Sequence, residues 1–307
     1  MNSTVNATAN TPSKSAFNLD PGMETYGIMI LLVCYSIVCL VILSLNYLIL
    51  RSFMTTRALL PRQRNFLSYL ASIDLAVGVV SIPTFLYNLY HWPSYGFYIY
   101  EAFDCASGLA TAFVLVALSI KILRATFRAP TRYAGHPRRR NFYLVMAGSV
   151  LMAGSAAALN VTSLMGYIPF SAFFFVAAGL TSASILVMAV TCVVVLVAIV
   201  CGKDRENDRE EDKKFRNLVV ISCPIYIFTW VLPYSFFTLN YFCGLCIPVP
   251  SLFFYVVRVI LYCKSFLLPI IYFRTISMFY KVVRKILTQD CLGRPIKYRV
   301  QGRPFKY

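Results

Sequence analysis

Three observations predict an all-α membrane protein, a seven-transmembrane helix bundle followed by a short amphipathic eighth helix. The first is composition. Of 307 residues, 59% are hydrophobic and 13% charged, with a mean hydropathy of +0.67. Soluble domains carry about 25% charged residues, so this chain has little polar surface to offer water. The second is a set of seven apolar runs: 27–50, 65–90, 97–122, 141–165, 170–201, 217–242 and 249–273. Each is near or above the ~20 residues that cross a bilayer as a helix. The third is the placement of lysine and arginine. All but Lys14, Arg258 and Lys264 of the 29 lie in four stretches, at or beyond the ends of the first, third, fifth and seventh runs. With an odd number of spans, that bias puts the amino terminus outside and the tail inside. The formal charge of +17 is therefore spread between apolar segments. It is not the single basic face of a nucleic-acid-binding domain.

The organisation follows from these runs. Residues 1–25 form a polar extracellular tail without the apolar core of a cleavable signal peptide. The sequons at Asn2 and Asn6 mark expected glycosylation on that side. Residues 26–273 form the transmembrane domain, and 274–307 the amphipathic helix and cytoplasmic tail. The stretch 202–216 carries twelve charges in 15 residues, six of each sign. That pattern suits either helical extensions of the fifth and sixth spans or a solvated loop. No internal repeat stands out, which weighs against a transporter built from paired halves.

The cysteines are mostly single residues on apolar helices, where small core side chains are the plain reading. Cys243 and Cys246 share an expected outer loop, which favours a local disulfide over free thiols. That loop holds too few ligands for zinc. Cys291, after the amphipathic helix, is either a palmitoylation site or an unmodified thiol. Only two histidines occur, His91 and His136, and no metal or nucleotide motif accompanies them. An enzyme is not indicated, and no cofactor is expected.

The last apolar run ends in Leu268-Pro269-Ile270-Ile271-Tyr272. A proline inside a helix frees a carbonyl and bends the helix. Beyond it, Ile276, Phe279, Tyr280, Val283 and Ile286 make one helical stripe. Arg274, Lys281, Arg284 and Lys285 lie mostly off it, as in a helix lying in a membrane surface. Within the spans sit Asp74, Glu101, Asp104, Lys121, Arg258 and Lys264. Charges there are costly and face a partner or a cavity, or snorkel to water where a helix end is near, as at Glu101 and Lys121.

Several of these residues together resemble the rhodopsin-like G-protein-coupled receptors, over about residues 26–290. Asn46 is similar to that family's helix-one asparagine, and Leu70-Ala71-Ser72-Ile73-Asp74-Leu75 to its helix-two motif. Trp230-Val231-Leu232-Pro233 resembles its helix-six hinge with the tryptophan one place early, and Pro269 with Tyr272 its helix-seven signature lacking the asparagine. The chain departs from the family elsewhere. Where the family ends helix three in Asp/Glu-Arg-Tyr, this chain reads Lys121-Ile122-Leu123-Arg124, and only Arg124 stands nearby as a substitute. The helix-three cysteine, the helix-four tryptophan and the helix-five proline are also missing.

The resemblance implies a plasma-membrane receptor that passes the signal of an unknown extracellular ligand, small molecule or peptide, to a heterotrimeric G protein. The alternative is a receptor-shaped scaffold or decoy that activates none. Implied ligand-site residues are Asp104, Glu101, Tyr87, Tyr234, Phe237, Arg258 and Tyr262. Either Asp104 holds an amine, or Arg258 pairs with Asp104 or Glu101 and favours an anionic or zwitterionic ligand. The implied polar core is Asn46, Asp74, Thr111, Lys264 and Ser265, with an Asn46–Asp74 hydrogen bond. Implied switch and hinge residues are Arg124, Trp230, Pro233, Pro269 and Tyr272. In the family a sodium ion sits on the helix-two aspartate. The expectation here is that the Lys264 ammonium takes that space and salt-bridges Asp74. A retinal lysine is not expected, since its place is held by Tyr262.

Overall fold

A computed structural model describes residues 25–56, 64–90, 95–127, 139–200, 210–242 and 251–291. Among them every regular element is helical. The helices are α1 (Thr25–Thr55), α2 (residues 64–90), α3 (Tyr95–Phe127), α4 (Arg139–Leu164), α5 (Phe170–Val200), α6 (Glu210–Phe242), α7 (Ser251–Thr275) and α8 (Ser277–Cys291). Six of them, α1 to α5 and α7, are long and apolar enough to cross a membrane. The protein is thus a multi-pass membrane protein. The expected run 217–242 lies in α6, which packs against α3, α5 and α7 and carries Pro224 and Pro233 within it. Helix α6 begins at Glu210, so residues 210–216 of the charged stretch are helical, and residues 202–209 lie outside the described residues.

The helices differ in how much they hide. In α3, 61% of the most apolar window is buried, against 17% in α1 and α4. Helix α3 is therefore the central element, touching α2, α4, α5 and α6. Outward positions on the flanking helices keep large apolar side chains, such as Leu40, Leu151 and Leu186. This is the surface a lipid solvent requires, because water would penalise it and acyl chains do not.

Two local features have a clear chemical cause. Helix α2 contains a π turn, Val77–Ser81, closed by the Ile82 N–H on the Val77 carbonyl. Pro83 follows at once. Proline has no N–H to give the carbonyl four residues back, and its ring crowds that carbonyl, so the helix widens by one residue there. The Cys39 thiol of α1 reaches the Gly78 carbonyl at 3.1 Å. A side chain at Gly78 would press on Leu43 at 2.8 Å, so glycine permits the approach of α1. Helix α4 ends in a Schellman cap. Gly166 takes φ 81°, its N–H bonds Ser163 O at 3.0 Å, and the Tyr167 N–H bonds Thr162 O at 3.0 Å.

Helix α8 turns off the end of α7 at Ile276. Ile276, Phe279, Val283 and Ile286 are buried, and Phe279 packs edge-on against Phe53 of α1 and Phe273 of α7, each at 5.4 Å. Lys281, Arg284 and Lys285 are exposed. Tyr280 departs from the expected stripe, being 58% exposed. It lies about 100° round the helix from Phe279, which already fills the contact with α1.

Candidate functional site

Buried polar residues gather in two places along α3 and α7. The first is a charged clamp. Glu101 and Asp104 are three residues apart on α3, so they share a face. Toward them comes Arg258 of α7, six per cent exposed. Its Nη2 donates to Glu101 Oε1 at 2.7 Å and its Nη1 to Asp104 Oδ2 at 3.1 Å. Nη1 also donates to the Tyr100 hydroxyl, and the guanidinium lies 5.0 Å from the centre of that ring. Arg258 therefore pairs with both expected carboxylates at once. With both ends of its fork occupied, it has little pull left for an anionic ligand. Glu101 does not reach out to water as a helix-end charge would; its side chain is 19% exposed.

Aromatic rings wall this clamp. Tyr262, 2% exposed, meets Tyr35 edge-on at 6.2 Å, and Tyr35 donates its hydroxyl to the Tyr255 carbonyl at 2.8 Å. Phe85 packs on both Tyr35 and Tyr100. Tyr87 of α2 is 53% exposed. Tyr234 and Phe237 belong to α6, but their side chains lie outside the described residues.

The second place is the polar core around Asp74. Two expectations are corrected there. Asn46 does not bond Asp74: its Nδ2 donates to Ile42 O at 3.0 Å and to the Ser265 carbonyl at 2.8 Å. Ser265 then donates its hydroxyl to Asp74 Oδ1 at 2.7 Å. One serine on α7 thus links α1 to α2. Lys264 makes no ion pair with Asp74. Its ammonium sits 5.0 Å from the Trp230 ring and 5.5 Å from the Tyr226 ring, both on α6. The cause is helical geometry. Neighbouring residues diverge by about 100°, so with Ser265 aimed at Asp74, Lys264 is aimed at α6. Cation–π attraction partly replaces the missing counter-ion.

Gly108 of α3 completes this second arrangement. Trp230 stacks on Tyr226 with ring centres 5.7 Å apart, and the Tyr226 hydroxyl donates to the Gly108 carbonyl at 3.2 Å. A side chain at Gly108 would lie 2.3 Å from Trp230, so only glycine leaves room for the indole. Thr111 is fully buried but turns to its own helix, donating to the Ser107 carbonyl at 2.9 Å. It does not join Asp74.

Of the remaining expected residues, Pro233, Pro269 and Tyr272 are buried and Arg124 is exposed. Lys121 lies over the Phe66 ring at 5.2 Å. Asn2, Asn6, Cys243 and Cys246 lie outside the described residues, as does the side chain of Cys291. Tyr100, Gly108 and Tyr226 were not picked out from the sequence. Tyr100 is adjacent to Glu101, and a tyrosine beside an intramembrane charge is a usable signal for a hydroxyl partner. Gly108 and Tyr226 carry none, since one lacks a side chain and the other is one aromatic among many. Among the described residues no group of three metal-binding side chains occurs.

Compared with known proteins, the chain matches no protein-family model and no curated protein.

Proposed function

We propose that this chain is a divergent rhodopsin-like receptor: a seven-helix bundle with an amphipathic helix eight, its amino terminus outside the plasma membrane. It passes an extracellular ligand signal to an intracellular G protein. The observation that carries the reading is the hydrogen-bonded link from Asn46 through Ser265 to Asp74. It joins three residues of the resemblance across α1, α2 and α7, close to the buried Pro269 and Tyr272 and to the turn into α8. Helix α6 then counts as the remaining span, and the lysine and arginine bias supports the orientation. In that orientation the Arg258 clamp faces the extracellular half, where a ligand would arrive.

A second reading is favoured by the end of α3. Lys121-Ile122-Leu123, or Ile122-Leu123-Arg124 with the alignment shifted one place, stands where the family holds its acidic-arginine pair, and Arg124 is exposed. On this reading the protein keeps the receptor shape but activates no G protein. A ligand screen in cells carrying several G-protein recruitment reporters separates the two. The receptor reading expects a ligand-dependent signal that is weak in the wild type and lost in Arg124→Ala. Strong signalling that survives Arg124→Ala would contradict the role given to Arg124. Silence on every reporter, with a ligand bound, would leave the scaffold reading standing.

A further inference from the structure

The Arg258 clamp has the chemistry of a binding site, and a side chain of the protein itself already fills it. Two carboxylates on one face of α3 meet a single guanidinium through separate nitrogens, at 2.7 and 3.1 Å. The Tyr100 hydroxyl accepts a further hydrogen bond and the Tyr100 ring lies beneath the charge at 5.0 Å. A planar fork with donors on two edges and an attractive face matches this set, and a compact ammonium does not. The described backbones of α3 and α7 approach each other little, so the long Arg258 side chain spans the distance between the two helices. The guanidinium is almost covered, with 7% of the side chain exposed, while the two carboxylates keep 19% and 21%. That partial exposure is the side from which a small cation would enter once the Arg258 side chain is withdrawn.

We propose that the Arg258 side chain is the resident ligand of an acidic cation site, and that Glu101, Asp104 and Tyr100 take free guanidinium-type cations when that side chain is withdrawn. In the intact protein the site is closed to such cations, because a free one would have to displace a tethered one. A consequence for signalling, that small cationic molecules are not the ligands of the wild type, rests on the receptor reading. The site does not.

The test needs no G protein. Full-length wild type and Arg258→Ala are purified in detergent, and their thermal unfolding is followed with methylguanidinium, with tetramethylammonium at matched ionic strength as control. Arg258→Ala is expected to unfold at a lower temperature than wild type and to regain part of the loss, saturably, with methylguanidinium alone. Wild type is expected not to shift, nor is the triple variant Arg258→Ala/Glu101→Gln/Asp104→Asn. A variant that methylguanidinium leaves unchanged, or a wild type or triple variant that shifts as much, would overturn the proposal. If Arg258→Ala cannot be purified, its surface expression in cells is compared with that of the triple variant. Recovery in the triple supports two carboxylates that need a resident cation, and equal loss in both overturns it. Because the readout is stability, a failure here is distinct from a failure of the receptor reading, which only the signalling assay reaches.

Discussion

At the Arg258 clamp a buried cation meets two carboxylates. Six residues along the same helix, about 9 Å at the rise of an α-helix, the buried Lys264 meets none and rests on two aromatic rings. The two regions share a helix, a depth of burial and a supply of acidic groups, and they solve the cost of charge in opposite ways. Register explains the contrast. Glu101 and Asp104 lie one helical turn apart and converge on one point. Lys264 and Ser265 are neighbours and diverge, so the hydroxyl takes Asp74 and the ammonium takes α6. Lying on a helix that reaches a suitable acid does not make a pair; a side chain that faces it does.

The contrast can be broken most sharply at the clamp. Arg258→Ala should destabilise the protein by about 3–5 kcal/mol, because two mostly buried carboxylates lose their counter-ion. Thermal unfolding in detergent measures it. A double-mutant cycle of Arg258 with Glu101 and another with Asp104 should both show coupling, larger for the shorter Glu101 contact. If both cycles close to zero, the ion pairs contribute nothing beyond packing.

Next in size is the wedge beneath Lys264. Gly108→Ala places a methyl group where the Trp230 ring stands. The ring cannot yield without disturbing Tyr226, so the expected loss is about 1–3 kcal/mol. Trp230→Leu in the same chain should remove most of that penalty. Equal losses from Gly108→Ala with and without the tryptophan would show that the indole is not the obstacle.

Ser265→Ala sharpens the comparison at Asp74. It takes from the carboxylate its hydroxyl donor in a fully buried place, at an expected cost of about 1–3 kcal/mol. Asp74→Asn in that background should cost less than it does alone, since the shared hydrogen bond is already gone.

The smallest effect belongs to Lys264. Lys264→Met gives up cation–π attraction of about 2 kcal/mol or less and also relieves the cost of burying a charge. The net change in unfolding temperature should be small, and the losses from Lys264→Met and Asp74→Asn should add. Strong non-additivity, with the double variant recovering stability, would mean that the lysine reaches Asp74 after all.

Much of this protein was legible in its residues. The helices α1 to α7 follow the apolar runs, with α1 and α3 ending five residues later and α6 starting seven earlier than expected, because an apolar run favours a helix whose backbone groups are bonded within the segment. Pro83 was not singled out, though its missing N–H was a usable signal for a distorted α2; a kink and a π turn both answer it. Of the polar residues singled out within the spans, Arg258 was expected on Asp104 or Glu101 as one of two alternatives, and it meets both. The expected pair Lys264–Asp74 is absent.

The amino-acid sequence by itself determined that the chain is a multi-pass membrane protein, which side of α8 is apolar, and that several charges must be buried. Those are properties of single segments, set by transfer free energy and the 3.6-residue period. Tertiary structure alone decided which buried charge meets which partner. That outcome depends on how each helix is rotated against its neighbours, and packing sets the rotation: Gly108 admitting Trp230, Gly78 admitting Leu43. A rotation of one residue on α7 exchanges Ser265 for Lys264 at Asp74, and only the fit of the side chains between helices chooses between them.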